Sequence, residues 1–347
     1  MKTSHKYFLI VALLCLSFGS LAIIWGHRNG GLEDIKAATT AKKITQEVAS
    51  FKQLELDLSN RELVIEPSKD DTWQLSYYTD NKILGELSVQ QDGEKLSLKQ
   101  LNKGSIVIGP ISALGYYLNN QSVQTRRVVL SVPKGAHFES IKGYVSDTVH
   151  LNHFPIKDIS LTSDSLYTNH TTIDKANFSV GSLYLNKTTI EQLTLDVSSD
   201  LSLSQTTLKG GDITGMDAIL TADKSLLQKI TISNQDGEIR FTDTELDNVT
   251  LSGENNRISA TNLTLKNLIE ITNAGDDIDL ILNDQIAQTT HLNLTVTDAN
   301  LSIADKIAAS NHIDSSHDES THTFNKEVKD SLATLKITNI DGDITLN

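Results

Sequence analysis

Cysteine is almost absent: 347 residues hold one, Cys15, inside an apolar run. That excludes a disulfide framework, a cysteine-ligated zinc site and a thiol nucleophile in the body of the chain. Proline occurs four times, tryptophan twice, and phenylalanine and tyrosine eight times each, too few for a proline-rich linker or a thick aromatic core. Positive charge is also short, with 30 Lys+Arg against 44 Asp+Glu and a net charge of −14. Such a field repels phosphate backbones and anionic lipid, which argues against nucleic-acid binding. Apolar residues reach only 38%. That level would suit a disordered chain if Leu and Ile did not alternate with polar residues, as strands require. Catalytic signatures are missing too: there is no GxSxG, no HExxH and no glycine-rich phosphate loop.

One long hydrophobic run is present. Tyr7 to Trp25 carries no charge, and as a helix it would span about 28 Å, close to the thickness of a bilayer's hydrocarbon core. Lys2 and Lys6 precede it and Arg28 follows, so the positive-inside rule puts residues 1–6 in the cytoplasm and the body outside. Tyr7 and Trp25 sit where aromatic rings suit the headgroup zone and are the expected anchor residues. Two other readings compete. Ser20-Leu21-Ala22 has the form of a signal-peptidase site, but Ile23, Ile24 and Trp25 continue the apolar run past it. Cys15 suggests a lipoprotein, but Leu14 occupies the place where a lipobox needs a small residue. An uncleaved anchor over 7–25 is the preferred reading, with the cell membrane as location and a single pass. Residues 26–50, glycine-led and then Ala/Lys/Glu-rich, read as a stalk with a short helix.

From Phe51 the pattern changes to strands. Leu54-Glu55-Leu56-Asp57-Leu58, Trp73 to Tyr77 and Leu96-Ser97-Leu98 alternate, and Asp92-Gly93 marks a hairpin turn. Residues 51–137 are expected to form a smaller N-terminal β region, interrupted by an apolar insert over 104–124. Beyond Ile159 the chain repeats. Ser165 to Ile173 (SLYTNHTTI), Ser182 to Ile190 (SLYLNKTTI) and Asp200 to Leu208 (DLSLSQTTL) follow at near-constant offset, and Ile239, Ile258, Ile278 and Leu301 continue the period. Two short strands and two turns every ~17–20 residues predict an all-β chain built as a parallel β-solenoid over 138–347. Roughly ten coils about 4.8 Å apart would give a rod near 50 Å long. A β-sandwich is the alternative, disfavoured by near-identity over nine residues at fixed offset.

The candidate contact residues lie in the insert, where Ile106, Ile108, Ile111, Leu114, Tyr116 and Tyr117 form either a lid over the end of the solenoid or a patch for a partner. His312, His317 and His322 are the one candidate for a low-affinity zinc site and are disfavoured, because a spacing of five aligns them on neither a helix nor a strand, and Ala304 to Asp330 otherwise reads as a solvated loop. Asp341-Gly342-Asp343 and Gly210-Gly211-Asp212 read as turns, since neither a calcium-solenoid repeat nor an EF-hand spacing occurs. No cofactor is expected. The acids recur at the repeat period instead of clustering for acid/base work, so a polysaccharide-cleaving enzyme is the least favoured class.

Three segments carry a family resemblance: Leu54 to Glu66, Val128 to Gly135 with its strand-Pro-Lys-Gly corner, and Leu335 to Leu346 with its Gly-Asp-Ile close. In that order, with the repeats between, the chain from 51 to 347 resembles a bacterial family of β-strand-repeat adhesin candidates of unknown function. It is similar in build to Lia-type Gram-positive envelope-stress proteins. The resemblance implies an extracellular envelope role and brings no catalytic residues. The sequence-level reading is therefore a membrane-anchored interaction module of the bacterial envelope. Its partner would be a protein, the wall or a cationic peptide drawn to the acidic surface, with envelope stress as the setting. An adhesin for host or matrix ligands is the alternative.

Overall fold

The computed structural model describes residues 3–79, 86–101, 126–308, 313–317 and 320–347. The chain divides into two compact units, one of residues 1–44, 77–87 and 101–127 and another of residues 45–76, 88–100 and 128–347.

In the first unit a helix runs from Thr3 to Arg28. Its described side chains are largely exposed, Leu16, Phe18 and Leu21 among them. His27 and Arg28 close the last turn, where cations suit the helix dipole. Gly30 then turns the chain at φ 79, a left-handed conformation that glycine adopts without steric cost, into a second helix, Gly31–Thr39. The expected stalk over 26–50 needs one correction: Lys42–Glu47 is a strand. Ile44, Gln46 and Val48 are half-buried while Thr45 and Glu47 are exposed, an alternation of period two that the Lys/Glu-rich composition hides. Within the second unit the Val48 amide donates to the Trp73 carbonyl oxygen at 3.0 Å.

The second unit is the β-solenoid. Its interior is a set of columns in which one residue from each coil lies over the same position on the next. One column runs Leu166, Leu183, Leu201, Leu220, Ile239, Ile258 and Ile278 by strict parallel register. A second runs Leu161, Phe178, Leu195, Ile213, Ile232, Leu251 and Ile271. A third runs Ile156, Ile173, Ile190, Leu208, Leu227, Leu246 and Leu265. All are buried, so each coil hides its apolar residues only against its neighbours, at ~1.5–3 kcal/mol per side chain. Pro155–Asn169, Thr172–Asn186 and Thr189–Ser204 each carry all three columns on one unbroken strand, the coils from Thr207 to Thr242 carry them on separate short strands, and Arg257–Ala274 is again unbroken through all three.

The corners explain the polar composition. His170, Lys187, Gln205, Lys224 and Asp243 each take a left-handed φ of 48–51°. The amide of each donates along the stack, as in His170 N to Asn186 O at 3.0 Å and Lys187 N to Ser204 O at 2.9 Å. The next residue in each coil is a hydroxyl turned inward: Thr171, Thr188, Thr206, Ser225 and Thr244 are all buried. Thr206 Oγ1 donates to Leu185 O and Thr244 Oγ1 to Ala222 O, each at 3.0 Å. The repeated Thr-Thr dipeptides are this corner, one hydroxyl satisfying backbone inside and the other starting the next strand. A different corner is tied by buried amides: Asn256 Nδ2 donates to Asn234 O at 2.7 Å, and Asn273 Nδ2 to Asn256 O at 2.9 Å. Gly211 is obligatory, because at φ +132 any Cβ would stand 1.8 Å from Leu193 O.

Two expectations about extent are corrected. Residues 51–137 are not wholly separate from the solenoid, because Gln53–Leu58 lies parallel between Lys95–Gln100 and Phe138–Asn152 as an inner rung. Its Leu54, Leu56 and Leu58 face inward exactly as the later Leu/Ile columns do, so the same burial drives the stacking. The stretch 304–330 is not simply a solvated loop. It holds a helical turn, Asp305–Ala308, and a strand, Thr321–Lys326, that pairs antiparallel with both Thr290–Thr297 and Ile313–His317. Phe324 and Lys326 are buried there.

The far end also departs from chain order. Ala333–Ile340 runs parallel between Arg257–Ala274 and Thr290–Thr297, and Ile344–Leu346 between Ile278–Leu282 and Leu301–Ile303. The last segment of the chain is thus inserted between two coils that precede it, and Ile344 separates Ile278 from Leu301.

Candidate functional site

Outward positions form columns just as inward ones do. In the coils Phe138–Asn152, Pro155–Asn169 and Thr172–Asn186, one outward column is aromatic: His150, Tyr167 and Tyr184 lie in register. Their rings stack nearly parallel, with centroids 4.9 Å apart for His150 and Tyr167 and 4.5 Å for Tyr167 and Tyr184. The separations match the coil spacing, so stacking follows from register alone. Tyr167 is 38% exposed. Burial and then the neighbouring Tyr184 push its phenol above the ordinary value, keeping a neutral hydroxyl available as a donor. His150 Nε2 lies 3.2 Å from Glu62 Oε1. Ser202 follows Tyr184 in register, and a hydroxymethyl group is too small to cover a phenol ring, so Tyr184 ends the rail.

Next to this rail the stack carries an irregularity. Val180 pairs with Val197, but Ser182 pairs with Asp200, so one coil bulges relative to the other. The result is a notch of about 240 Å³ lined by Thr162, Ser163, Ser179, Gly181, Asp196 and Ser198, with Val180 at its back. A Cβ at Gly181 would come within 2.7 Å of Asp164 O, so glycine is the residue that fits at this edge of it. Asp200 lies two residues beyond Ser198, and its Oδ2 accepts from Tyr184 Oη at 3.4 Å, Ser199 Oγ at 3.4 Å and Ser182 Oγ at 3.5 Å. Asp164 Oδ2 accepts from Ser165 Oγ at 3.4 Å. On the other flank Asn186 Nδ2 donates to Asn169 Oδ1 at 2.8 Å, and His153 stacks on His170 at 4.9 Å. The His170 imidazole is pushed below its usual value by what burial it has, then by Lys187 and His153.

The residues singled out from sequence lie elsewhere. Ile106, Ile108, Ile111, Leu114, Tyr116 and Tyr117 fall outside the described residues, as does His312. His317 and His322 are register partners in the antiparallel pair of Ile313–His317 and Thr321–Lys326. Among the described residues no group of three or more His, Cys, Asp or Glu is placed to hold a metal. Tyr7 and Trp25 are 68% and 72% exposed on the N-terminal helix, and Ile10–Arg28 is long and apolar enough to cross a membrane. Sequence reading missed His150, Tyr167 and Tyr184, although a signal existed. In SLYTN and SLYLN the tyrosine follows an inward leucine at the same repeat position, which forces it outward and into register.

The family model described as Toastrack DUF4097 matches residues 51–347. No curated protein matches the chain. Among solved structures, a candidate adhesin from Parabacteroides distasonis is similar at 10% identity and TM-score 0.30, covering 89% of this chain and 97% of its own. One from Bacteroides fragilis is similar at 8% identity and TM-score 0.27, covering 89% and 97%. A candidate cell adhesion protein from Clostridium sporogenes gives 10% identity and TM-score 0.19, covering 88% and 99%. These likenesses are too loose to bear on what this chain binds.

Proposed function

Because the chain belongs to the Toastrack DUF4097 family, we propose that it is an interaction module of the bacterial cell envelope, held in the cytoplasmic membrane by its N-terminal helix with the solenoid outside. The observation that carries this reading is the join of two surfaces in one chain. The helix Thr3–Arg28 has exposed apolar side chains fit for lipid, and the solenoid that follows turns polar columns outward on each coil. Lys2 and Lys6 before the helix support an inside N-terminus.

A binding role fits the outward chemistry better than a catalytic one. The outward acids follow the coil period, and several pair with a lysine on an adjacent coil, as in Lys209 with Glu191 and Lys266 with Glu245, 2.6 and 2.7 Å apart. With a net charge of −14, the body raises the local concentration of cationic peptides, the more so at low salt. This makes cationic antimicrobial peptides the first partners to test and envelope stress the setting.

The test uses the full chain in lipid nanodiscs against cationic antimicrobial peptides, purified wall and anionic vesicles, at low and physiological salt. Saturable binding to peptide or wall that survives physiological salt is the expected result. No binding to any of the three would overturn the envelope-module reading.

A further inference from the structure

The notch beside Gly181 and the rail ending at Tyr184 are neighbours: Ser198 lines the notch, and Asp200, two residues on, accepts from Tyr184 Oη. We propose that this surface binds a neutral glycan, with one sugar ring seated in the notch and an adjoining sugar against the open face of Tyr184. The inference rests on the reading of the molecule as a binding module and names the ligand class for one of its faces.

The polar inventory sets the ligand's charge. Asp196 lines the notch, Asp164 and Asp200 flank it, and among the described residues no basic side chain lines it. Three carboxylates repel a phosphate, sulfate or uronate, so an anionic polymer is a poor fit. A ligand rich in hydroxyl donors is a good one. Carboxylates accept charge-assisted hydrogen bonds about twice as strong as neutral ones, and Ser179, Ser198 and Thr162 can donate or accept as a sugar hydroxyl requires. Asp196 forms no ion pair among the described residues, so its oxygens need not be freed first.

The apolar half of the surface sets the ligand's shape. A sugar ring is amphipathic, with C–H groups on its faces and hydroxyls around its rim, and aromatic side chains offer large rigid area with a polar tip. Tyr184 supplies both: Tyr167 is covered by His150 on one face and Tyr184 on the other, whereas the far face of Tyr184 has only Ser202 in register beyond it. At about 240 Å³ the notch is smaller than the ~300–1,000 Å³ of drug-sized sites. It therefore takes a single ring and leaves the next sugar to the open face of Tyr184.

Two simpler accounts fall short. Aromatic stacking in an in-register sheet stabilises the sheet by itself, but stability requires neither the bulge between Val180 and Ser182 nor the notch beside Gly181. A cationic peptide would suit the carboxylates, but the rail's far flank presents the exposed Lys187, which opposes it.

The experiment titrates the full chain in nanodiscs with chitohexaose, cellohexaose and maltoheptaose, with polygalacturonate and a lysine-rich peptide alongside. We expect saturable binding of at least one neutral oligosaccharide, insensitive to salt. Tyr184→Ala, which shortens the rail, and Ser179→Leu, which fills the notch from an exposed position, should each weaken it about tenfold or more. Lys175→Ala should leave it unchanged, and circular dichroism verifies that each variant is folded. Neutral oligosaccharides that fail to bind while peptide or wall still binds would overturn the glycan assignment and leave the envelope-module reading standing. Peptide binding lost in the same two variants, or glycan binding that survives both, would also overturn it.

Discussion

The side-chain amide of Asn339 donates to the backbone carbonyl oxygen of Asp276 at 2.9 Å, although 63 positions of sequence separate them. Asn339 thereby ties the end of the chain into the middle of the stack, and its Nδ2 also reaches Gly342 O at 2.8 Å. Asn339 occupies the corner place that Asn273 holds one coil earlier, in register with it. Removing residues 333–347 takes a rung out from between two others and leaves both with unpaired backbone. We predict that this deletion abolishes amide protection across Thr290–Ile303 while Pro155–Ser204 stays protected, because coils hold mainly to their neighbours. Native-state hydrogen exchange checks it. Uniform loss of protection throughout would show the stack to be a single cooperative unit.

Asn256 is fully buried, and its side chain serves two coils. Its Oδ1 accepts from Asn234 Nδ2 at 2.7 Å, and its Nδ2 donates to Asn234 O and Glu254 O. Asn256→Ala strands these groups without water, at ~1–3 kcal/mol for each left unsatisfied. We expect a loss of about 2–4 kcal/mol in urea unfolding, whereas a change at an exposed outward residue such as Thr194 should stay within ~0.5 kcal/mol.

Thr206 keeps its hydroxyl on Leu185 O inside the corner, while the neighbouring Thr207 is half-exposed. Thr206→Val preserves shape and deletes one hydrogen bond, so it should cost about 1 kcal/mol. Thr207→Val should cost little. Equal effects at the two positions, read by chemical denaturation, would contradict the inward assignment of the corner hydroxyl.

His170 supplies the pH dependence. Burial, Lys187 and His153 hold its folded pKa below the unfolded value near 6.5. Between the two values the unfolded chain binds more protons, so stability rises with pH there. The contribution is unfavourable once pH falls below the folded pKa. His170→Gln should flatten the fall in stability on acidification, and an NMR titration of the imidazole should place its midpoint below that of a free histidine. A midpoint at or above 6.5 would refute the assignment.

Much of the interior was legible from sequence. Leu166, Leu183 and Leu201 stand out because the repeats around them are nearly identical, and Ile239, Ile258 and Ile278 continue their column through weaker repeats. Periodicity reports spacing along the chain and not order in the stack, so nothing in it placed Ile344 between Ile278 and Leu301. The same blindness hid the inner position of Gln53–Leu58. The antiparallel strand Thr321–Lys326 was concealed by its polar residues, since only Phe324 and Lys326 face inward. The tyrosine rail lay within view in the repeats, but it becomes a surface only when coils are set one above another.

The most direct test of the account is the side of the membrane on which the solenoid lies. Lys175 is exposed and the chain's one cysteine, Cys15, lies in the N-terminal helix, so Lys175→Cys gives a single reporter in the body. Intact cells making the full chain would be treated with a membrane-impermeant maleimide before and after lysis. Labelling of residue 175 in intact cells, with the protein retained in the membrane fraction, is the predicted result. Labelling only after lysis would contradict an extracellular module.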